Sequence, residues 1–516
     1  MPALFTNSFY ELVRKYLYRR EMMEGVVSRF VMAVVLALSP MIAEGSFIQA
    51  DQAKKNKLER NNLDQWIAKQ QKISWSRLLS NISRNDTLRG VVVASPSKSD
   101  PDYYYHWVRD AALVMDVVGK VHRNTKSDEM KEATHQYLMD YRTLVNRLQQ
   151  TKTLTGLGEP KYHVDGSSFD GPWGRPQNDG PALRAITFIR FAEGLLDKGY
   201  YELVDRLFYS AEIPAETPIK RDLEYVAHHW DEIGFDLWEE VYGYHFYTRM
   251  VQYRAMKMGA RFAYRMGDDG AAEFYLSQAS SIEKALRAHY REDRGHIVES
   301  LDAHGNPVDS RTGLDTAILL AFNHTNSFDR APNLDNPWLQ ATAIRIEKAF
   351  QETYQINQVE NGLGTAIGRY PRDVYFGGNP WFLTTLAFAE YHYRLAATYL
   401  RQGFAEVNAL NQGFFANLAE YESHFRKDHR FAEKLFGNVY IRRDDPAFET
   451  LISALMHKGD SFMERVRFHV DANGSMAEQY NRNHGFQLAA PHLTWSYGSF
   501  LTASGARNYL HSLLGR

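Results

Sequence analysis

The stretch "GRYPRDVYFGGNPWFLTTLAFAEYHYRLAATYL", Gly368 to Leu400, joins two kinds of sequence at Pro380. Its first part is turn-forming and aromatic, with Pro371, Gly377, Gly378 and Pro380 interrupting any regular element. Its second part, from Trp381 onward, is apolar on nearly every face, as in a helix enclosed by protein. The same pairing recurs along the chain. "SPSKSDPDYYYHWVRD" runs into "AALVMDVVGKV", and "SSFDGPWGRPQNDGP" runs into "ALRAITFIRFAEGLL". "EIGFDLWEE" leads to "FYTRMVQYRAMKMGARFAYRM", "VDSRTGLD" to "TAILLAF", and "MAEQYNRNHGFQLAAPH" to "LTWSYGSFLTA". Between these lie amphipathic helices with one charged face, such as "SDEMKEATHQYLMDYRTLVNRL" and "NPWLQATAIRIEKAFQETY". Alternating strands with hairpin turns are scarce. About six apolar helices alternating with about six amphipathic ones predict an all-α protein in which an outer ring of helices encloses an inner ring. In such a barrel the loops entering the inner helices gather at one end into a single site; scattered surface loops are the alternative.

The chain has 516 residues, enough to bury a large core. A net charge of -2 offers no basic field for a phosphate backbone, so nucleic acid is not an expected partner. Aromatic residues make up 13% of the chain, and their flat faces suit sugars as well as a tyrosine-rich core. The lack of cysteine excludes disulfides, thiol catalysis and cysteine-ligated metals. His228 and His229 are adjacent, and His424 and His429 lie in "HFRKDH". Neither pair has metal-ligand spacing, so no metal and no cofactor is expected.

Near the N-terminus, Arg19, Arg20 and Arg29 precede the apolar run "FVMAVVLALSPMIA", Phe30 to Ala43. The run is too short for a stable membrane span and is interrupted by Pro40. The region around residues 19–45 reads as a secretory signal, which implies export. A buried or membrane-associated helix is the alternative and would leave the chain in the cytoplasm. Residues 49–62, "QADQAKKNKLERNN", read as a solvated connector, so an N-terminal segment 1–62 is set apart from a domain 63–516. Glycosylation tripeptides begin at Asn81, Asn85, Asn323 and Asn473.

Candidate chemistry starts with "GFDLWEEVYGYHF", Gly234 to Phe246, where Glu239 and Glu240 stand side by side among Phe235, Leu237 and Trp238. Read as helix, neighbouring residues diverge, so the two glutamates cannot do the same job. Asp236 and Glu240 together with the Trp238 ring should disfavour ionisation of Glu239, which suits a general acid. The same letters also fit an acidic helix N-terminus. Glu478, in "GSMAEQYNRN", lies far away in sequence and in another of the gathered loops. Two carboxyls facing across one pocket suit glycoside hydrolysis; an ordinary loop glutamate is the alternative. Arg109 and Asp110 of "HWVRD" could grip sugar hydroxyls or simply pair with each other. Tyr103, Tyr105, Trp107, Trp173, Trp381 and Trp495 could form stacking walls or core.

Together these motifs resemble the glucoamylases of glycoside hydrolase family 15, particularly the fungal and yeast type. "GVVVASPSKSDPDYYYHWVRD", "EPKYHVDGSSFDGPWGRPQNDGPALRA", "GFDLWEEV", "SRTGLDTAILLA", "GRYPRDVYFGGNPWFLTTLA", "MAEQY" and "LTWSYGSFLTA" occur in the family's order, from about Trp75 to Ser504. The resemblance implies an (α/α)6 barrel that acts on α-glucans such as starch, glycogen and malto-oligosaccharides. It implies Glu239 as general acid and Glu478 as general base, with inversion at the anomeric carbon and release of β-D-glucose from non-reducing ends. By the same resemblance the Asp236 charge helps set the acid, and Glu240 binds substrate hydroxyls. Arg109 and Asp110 hold the terminal glucose, and Tyr103 supports an oxocarbenium-like transition state. Trp107, Trp173, Leu237, Trp238, Arg369, Trp381 and Trp495 match pocket-wall and neighbouring-subsite positions. A monomer is expected.

Departures from the pattern carry expectations of their own. Ala489 stands where many members have a serine bonded to the catalytic base, so the Glu478 carboxylate should be less stabilised. Tyr242 replaces the usual asparagine after "WEEV", in the region of the outer subsites. The sequence ends soon after the last barrel motif, so no starch-binding domain is expected within it. An α-1,6 or other linkage preference, or a catalytically silent glucan-binding homologue, are the rival readings. Retention of both carboxylates speaks against the silent one.

Overall fold

The computed structural model describes residues 63–308, 313–325, 333–359, 362–421 and 439–515. The N-terminal segment with its signal-like run, and His424 and His429, lie outside the described residues. Contacts divide the chain into a unit of residues 1–65 and a larger unit of residues 66–516.

The larger unit alternates inner and outer helices. It begins within α1 (Leu63–Leu79), and each later inner helix except the last is followed by an outer helix. The first pairs are α2 (Val108–Asn124) with α3 (Asp128–Leu148), and α4 (Asp179–Leu196) with α5 (Tyr201–Leu207) and α6 (Pro218–His229). Next come α7 (Phe246–Arg265) with α8 (Asp269–Leu286), and α9 (Ala317–Thr325) with α10 (Pro337–Thr353). The last are α11 (Phe382–Gln402) with α12 (Gln412–Tyr421) and α13 (Pro446–His469), followed by α14 (Thr494–Leu513). Helix α2 packs on α4, α4 on α7, α7 on α9, α9 on α11, α11 on α14, and α14 back on α2. The six apolar stretches of the sequence thus form a closed inner ring. Helix α1 lies against α14 from outside, with Trp66 edge-on to Phe500 at 5.4 Å.

The two rings differ in how they bury surface. Helix α4 is buried over most of its circumference, from Asp179 through Ile189 without a break, as an enclosed helix should be. Outer helix α3 buries one stripe, Thr134, Leu138, Tyr141, Leu144, Val145 and Leu148, spaced for a single helical face. Burying a leucine such as Leu138 contributes about 2 kcal/mol.

Helix starts differ in the same way. Four outer helices are capped by side chains, Ser127 on α3, Asp268 on α8, Asn336 on α10 and Asp445 on α13, whereas α5 and α6 have no side-chain cap. Helices α2, α4, α7, α11 and α14 have no side-chain cap. In four of these, all but α4, main-chain carbonyls from distant loops take the first amides instead. Val108 donates to Pro160 at 2.9 Å, Phe246 to Glu299 at 2.8 Å, Phe382 to Glu478 at 3.3 Å and Thr494 to Ala94 at 2.8 Å. Each such bond satisfies an orphan helix donor and pins a loop onto the barrel rim.

Short antiparallel pairings brace the same end. Strand β1 (His106–Trp107) pairs with β2 (Lys161–Tyr162). Strand β3 (Gly234–Phe235) pairs with β4 (Tyr242–His245), which pairs with β5 (Ser300–Leu301). Strand β6 (Gln479–Tyr480) pairs with β7 (Gln487–Leu488). Among the described residues no helix is long and apolar enough to cross a membrane. Of the glycosylation tripeptides, Asn81 and Asn323 are buried in hydrogen bonds to Thr494 and to the Ala387 carbonyl. Asn85 and Asn473 are exposed.

Candidate active site

At the rim where these loops meet, a cavity of about 560 Å³ is lined by Tyr103, Trp107, Arg109, Asp110, Trp173, Leu237, Trp238, Glu239, Glu240, Arg369, Trp381, Glu478 and Trp495. Every candidate named from the sequence except Asp236 therefore faces one space. Below Trp495 the barrel interior is filled. The cavity beneath it, ringed by Asp116, Lys120, Arg190, His324 and Glu390, measures only about 30 Å³.

Glu239 and Glu240 are not on a helix. They occupy the turn between β3 and β4, and Glu239 has a left-handed backbone with φ 67°, a conformation costing about 1–2 kcal/mol for a residue with a Cβ. Asp236 holds the turn in place. Its fully buried carboxylate accepts from the amides of Glu240 at 2.8 Å and Val241 at 2.7 Å. Asp236 therefore braces the backbone of the motif. The Trp238 indole likewise turns to Asp315, at 2.9 Å.

What surrounds the Glu239 carboxylate is a set of donors. Oε1 accepts from Trp107 Nε1 at 2.8 Å, Gln177 Nε2 at 3.1 Å and Arg109 Nη2 at 3.2 Å. Oε2 accepts from Trp173 Nε1 at 2.7 Å. One oxygen is anchored by three buried groups, and the other by an indole that is 38% exposed. The approach of the Trp173 loop requires Gly174, where a Cβ would fall 2.8 Å from the Glu239 carbonyl oxygen.

Glu240 reaches the opposite lip. Its Oε1 lies 2.7 Å from Arg369 Nη2, and its Oε2 accepts from the Tyr370 hydroxyl. Arg369 is clamped by Asp373 through two parallel bonds of 2.8 and 2.6 Å, a pre-organised guanidinium.

Glu478 is buried at the start of the β6–β7 hairpin, with its amide donating to the Ala490 carbonyl at 2.8 Å. Gln479 Nε2 donates to its Oε2 at 3.0 Å, and the nearby Tyr103 hydroxyl favours its ionised form. Burial pushes its carboxyl up to about 7, and Asp110 adds to the effect. Tyr103, Arg369 and Gln479 pull the other way. The Tyr103 hydroxyl also meets that of Tyr375 at 2.7 Å.

Arg109 is less free than the sequence suggested, since it donates to Asp179 at 2.8 Å and Gln177 at 3.0 Å as well as to Glu239. Asp110 lies 3.8 Å from its Nε. Burial raises the Asp110 carboxyl to about 7; Glu239 and Asp179 add to this and Arg109 opposes it. Trp107 stands 5.3 Å from Tyr103 and 6.0 Å from Trp173, and Trp238 is 5.8 Å from Trp381, so the rings form continuous walls.

Sequence reasoning missed Gln177, Tyr375, Asp315 and Lys161. The Lys161 ammonium is boxed by rings, at 3.2 Å from the Trp173 centroid, 4.1 Å from Phe169 and 4.5 Å from both Tyr105 and Trp107. Burial lowers it to about 8. Asp315 could have been found, because it directly precedes an apolar helix and accepts from the Ala317 amide at 2.8 Å.

The sequence and fold also match known proteins. The family model described as glycosyl hydrolases family 15 matches residues 72–505. A glucoamylase of Blastobotrys adeninivorans is 37% identical over 454 residues, covering 85% of this chain and 70% of the relative. Glucoamylase 1 of Rhizopus oryzae is 36% identical, covering 87% and 71%. Among solved structures, a family 15 glucoamylase from Hypocrea jecorina superposes with a TM-score of 0.78 at 32% identity, covering 87% of this chain and 73% of that one. The Saccharomycopsis fibuligera glucoamylase gives 0.77 at 33% identity, covering 88% and 97%.

Proposed function

The chain belongs to glycosyl hydrolase family 15, and from that premise we propose that it removes single glucose units from the non-reducing ends of α-1,4-glucans with inversion, releasing β-D-glucose. It is an α-glucan hydrolase. The observation that carries the finer reading is the pair Glu239 and Glu478, brought from distant loops to one cavity with a filled base. Such a cavity admits a chain end and excludes the chain middle, which is what exo-action requires.

In this reading the terminal glucose lies deepest, beside Arg109, Asp110 and Trp495. Glu239 gives its proton to the glycosidic oxygen, and the departing chain leaves toward the mouth. Oε2 is the oxygen that can present this proton, because displacing exposed Trp173 frees it while three donors keep Oε1 fixed. Glu478 accepts a proton from the water that attacks the anomeric carbon from the other face. A carboxyl raised to about 7 is a competent base near neutral pH, since it binds the abstracted proton well. Inverting chemistry requires roughly 6.5–9.5 Å between the carboxyls to admit that water. Glu240 and the clamped Arg369 hold hydroxyls of the next sugar.

Proton NMR of the first products from soluble starch tests stereochemistry and cleavage mode together. β-Glucose as the initial product is expected, and α-glucose or longer fragments would overturn the proposal. Relative rates on maltose and isomaltose decide the linkage, with maltose expected to be faster.

A further inference from the structure

Behind the hairpin that carries Glu239 lies a small cavity of about 10 Å³, walled by both strands of the hairpin, by Asn178 ahead of α4 and by the first turns of α7. Four of its lining residues are at most 9% exposed, and each keeps a polar atom with no partner among the described residues: Asn178 Nδ2, Thr248 Oγ1, Arg249 Nε and Gln252 Oε1. On α7, Gln252 lies four residues after Thr248 and three after Arg249, so the three share one face.

Arg249 sets the chemistry of this cavity. Its Nη1 donates to the Ala285 carbonyl at 3.4 Å and to His289 Nε2 at 3.1 Å, and its guanidinium lies 4.3 Å from the Tyr244 ring centre. Among the described residues no carboxylate pairs with it. Burial and the Arg249 charge hold His289 at about 3, so that imidazole is neutral and balances nothing. Burial pushes the guanidinium itself down to about 10. A buried charge without a counter-charge costs far more than an unmade hydrogen bond. Water would meet the hydrogen bonds and leave the charge. Donors also outnumber acceptors, since Arg249, Asn178 and the Thr248 hydroxyl stand against Gln252 Oε1. Glu232 also lines the cavity, but its side chain is 54% exposed and lies 3.0 Å from His229 Nδ1.

We infer that this cavity is a binding site for one monatomic anion of chloride size, held by Arg249 Nε, Asn178 Nδ2 and the Thr248 hydroxyl. A volume of about 10 Å³ admits a single small guest and excludes polyatomic anions. The start of α7 adds the end of the helix dipole that favours negative charge. Asn178 stands between Gln177, which donates to Glu239, and Asp179, which holds Arg109. The anion thus braces the support of the acid from behind.

Wild-type crystals soaked in sodium bromide test occupancy, because bromide replaces chloride and scatters anomalously. An anomalous peak within hydrogen-bond distance of Arg249 Nε and Asn178 Nδ2 is expected; density without anomalous signal would mean water and overturn the site. In solution, Tm should rise saturably, by about 2 °C, as sodium chloride replaces sodium gluconate at constant ionic strength. Arg249→Gln should abolish the rise. An equal rise in that variant would mean general salt action, and no rise in wild type would mean binding at crystal concentration only; either overturns the site. Should Arg249→Gln not fold, Thr248→Val decides. Loss of one donor should increase the chloride concentration at half-maximal rise about three- to ten-fold, and an unchanged concentration overturns the site. These readouts are independent of hydrolytic activity.

Discussion

Glu239 and Glu478 carry the same functional group into opposite surroundings. Four donors converge on Glu239, whereas Glu478 is enclosed and its carboxyl raised to about 7. Under the proposed roles, Glu239→Gln and Glu478→Gln should each lower kcat on maltose by about 10²- to 10⁴-fold. Glu240→Gln should chiefly raise KM, because an amide can replace part of its hydrogen bonding. The base must be ionised to act, so kcat/KM should fall as pH drops through about 7, above the ordinary carboxylate range. Residue 489 can tune this limb: Ala489, left-handed with φ 62°, directly precedes Ala490, whose carbonyl accepts from the Glu478 amide at 2.8 Å. Ala489→Ser should place a hydroxyl near the carboxylate and stabilise its ionised form. The acidic limb of that variant should move to lower pH in a kcat/KM profile, and a coincident limb would break the argument.

Helices were easier to read than the loops between them, and the capping pattern explains why. Inner helices announce themselves by apolar residues all round and outer ones by a stripe, both local properties of sequence. Outer caps are local too. Asn336→Ala or Asp445→Ala should cost about 1 kcal/mol in denaturant unfolding and leave kcat/KM on maltose unaltered, because both caps lie on the outer ring. What pins the loops is not local. The Glu478 carbonyl on the Phe382 amide and the Ala94 carbonyl on Thr494 are pairings no periodicity records. The "DLWEE" motif read as helix because its letters favour one; Asp236, by accepting two amides further along, imposes a left-handed turn instead. Strands of two residues, such as β1 and β2, are too short to show alternation. Their pairing is what carries Lys161, an unremarked lysine between Pro160 and Tyr162, to the four rings around it.

Across the whole molecule, burying the site's carboxyls in the barrel mouth makes folding depend on pH. Both Glu478 and Asp110 are raised to about 7 in the folded chain, from ordinary values of 4.5 and 3.8. Between the ordinary value and about 7 the folded chain keeps a proton that the unfolded chain has lost. Stability therefore falls as pH rises through that window and levels off above it. For Glu478 alone the loss is about 3 kcal/mol. Glu478→Gln has no proton to lose at this position, so it should escape that share of the penalty. The variant should melt close to wild type at pH 4, where Glu478 is protonated in both states, and above wild type at pH 8. Thermal unfolding of the two proteins at both pH values measures this directly. An equal difference in Tm at pH 4 and pH 8 would mean that Glu478 ionises as readily inside the barrel as in water, and would remove the ground for expecting the acidic limb of activity near 7.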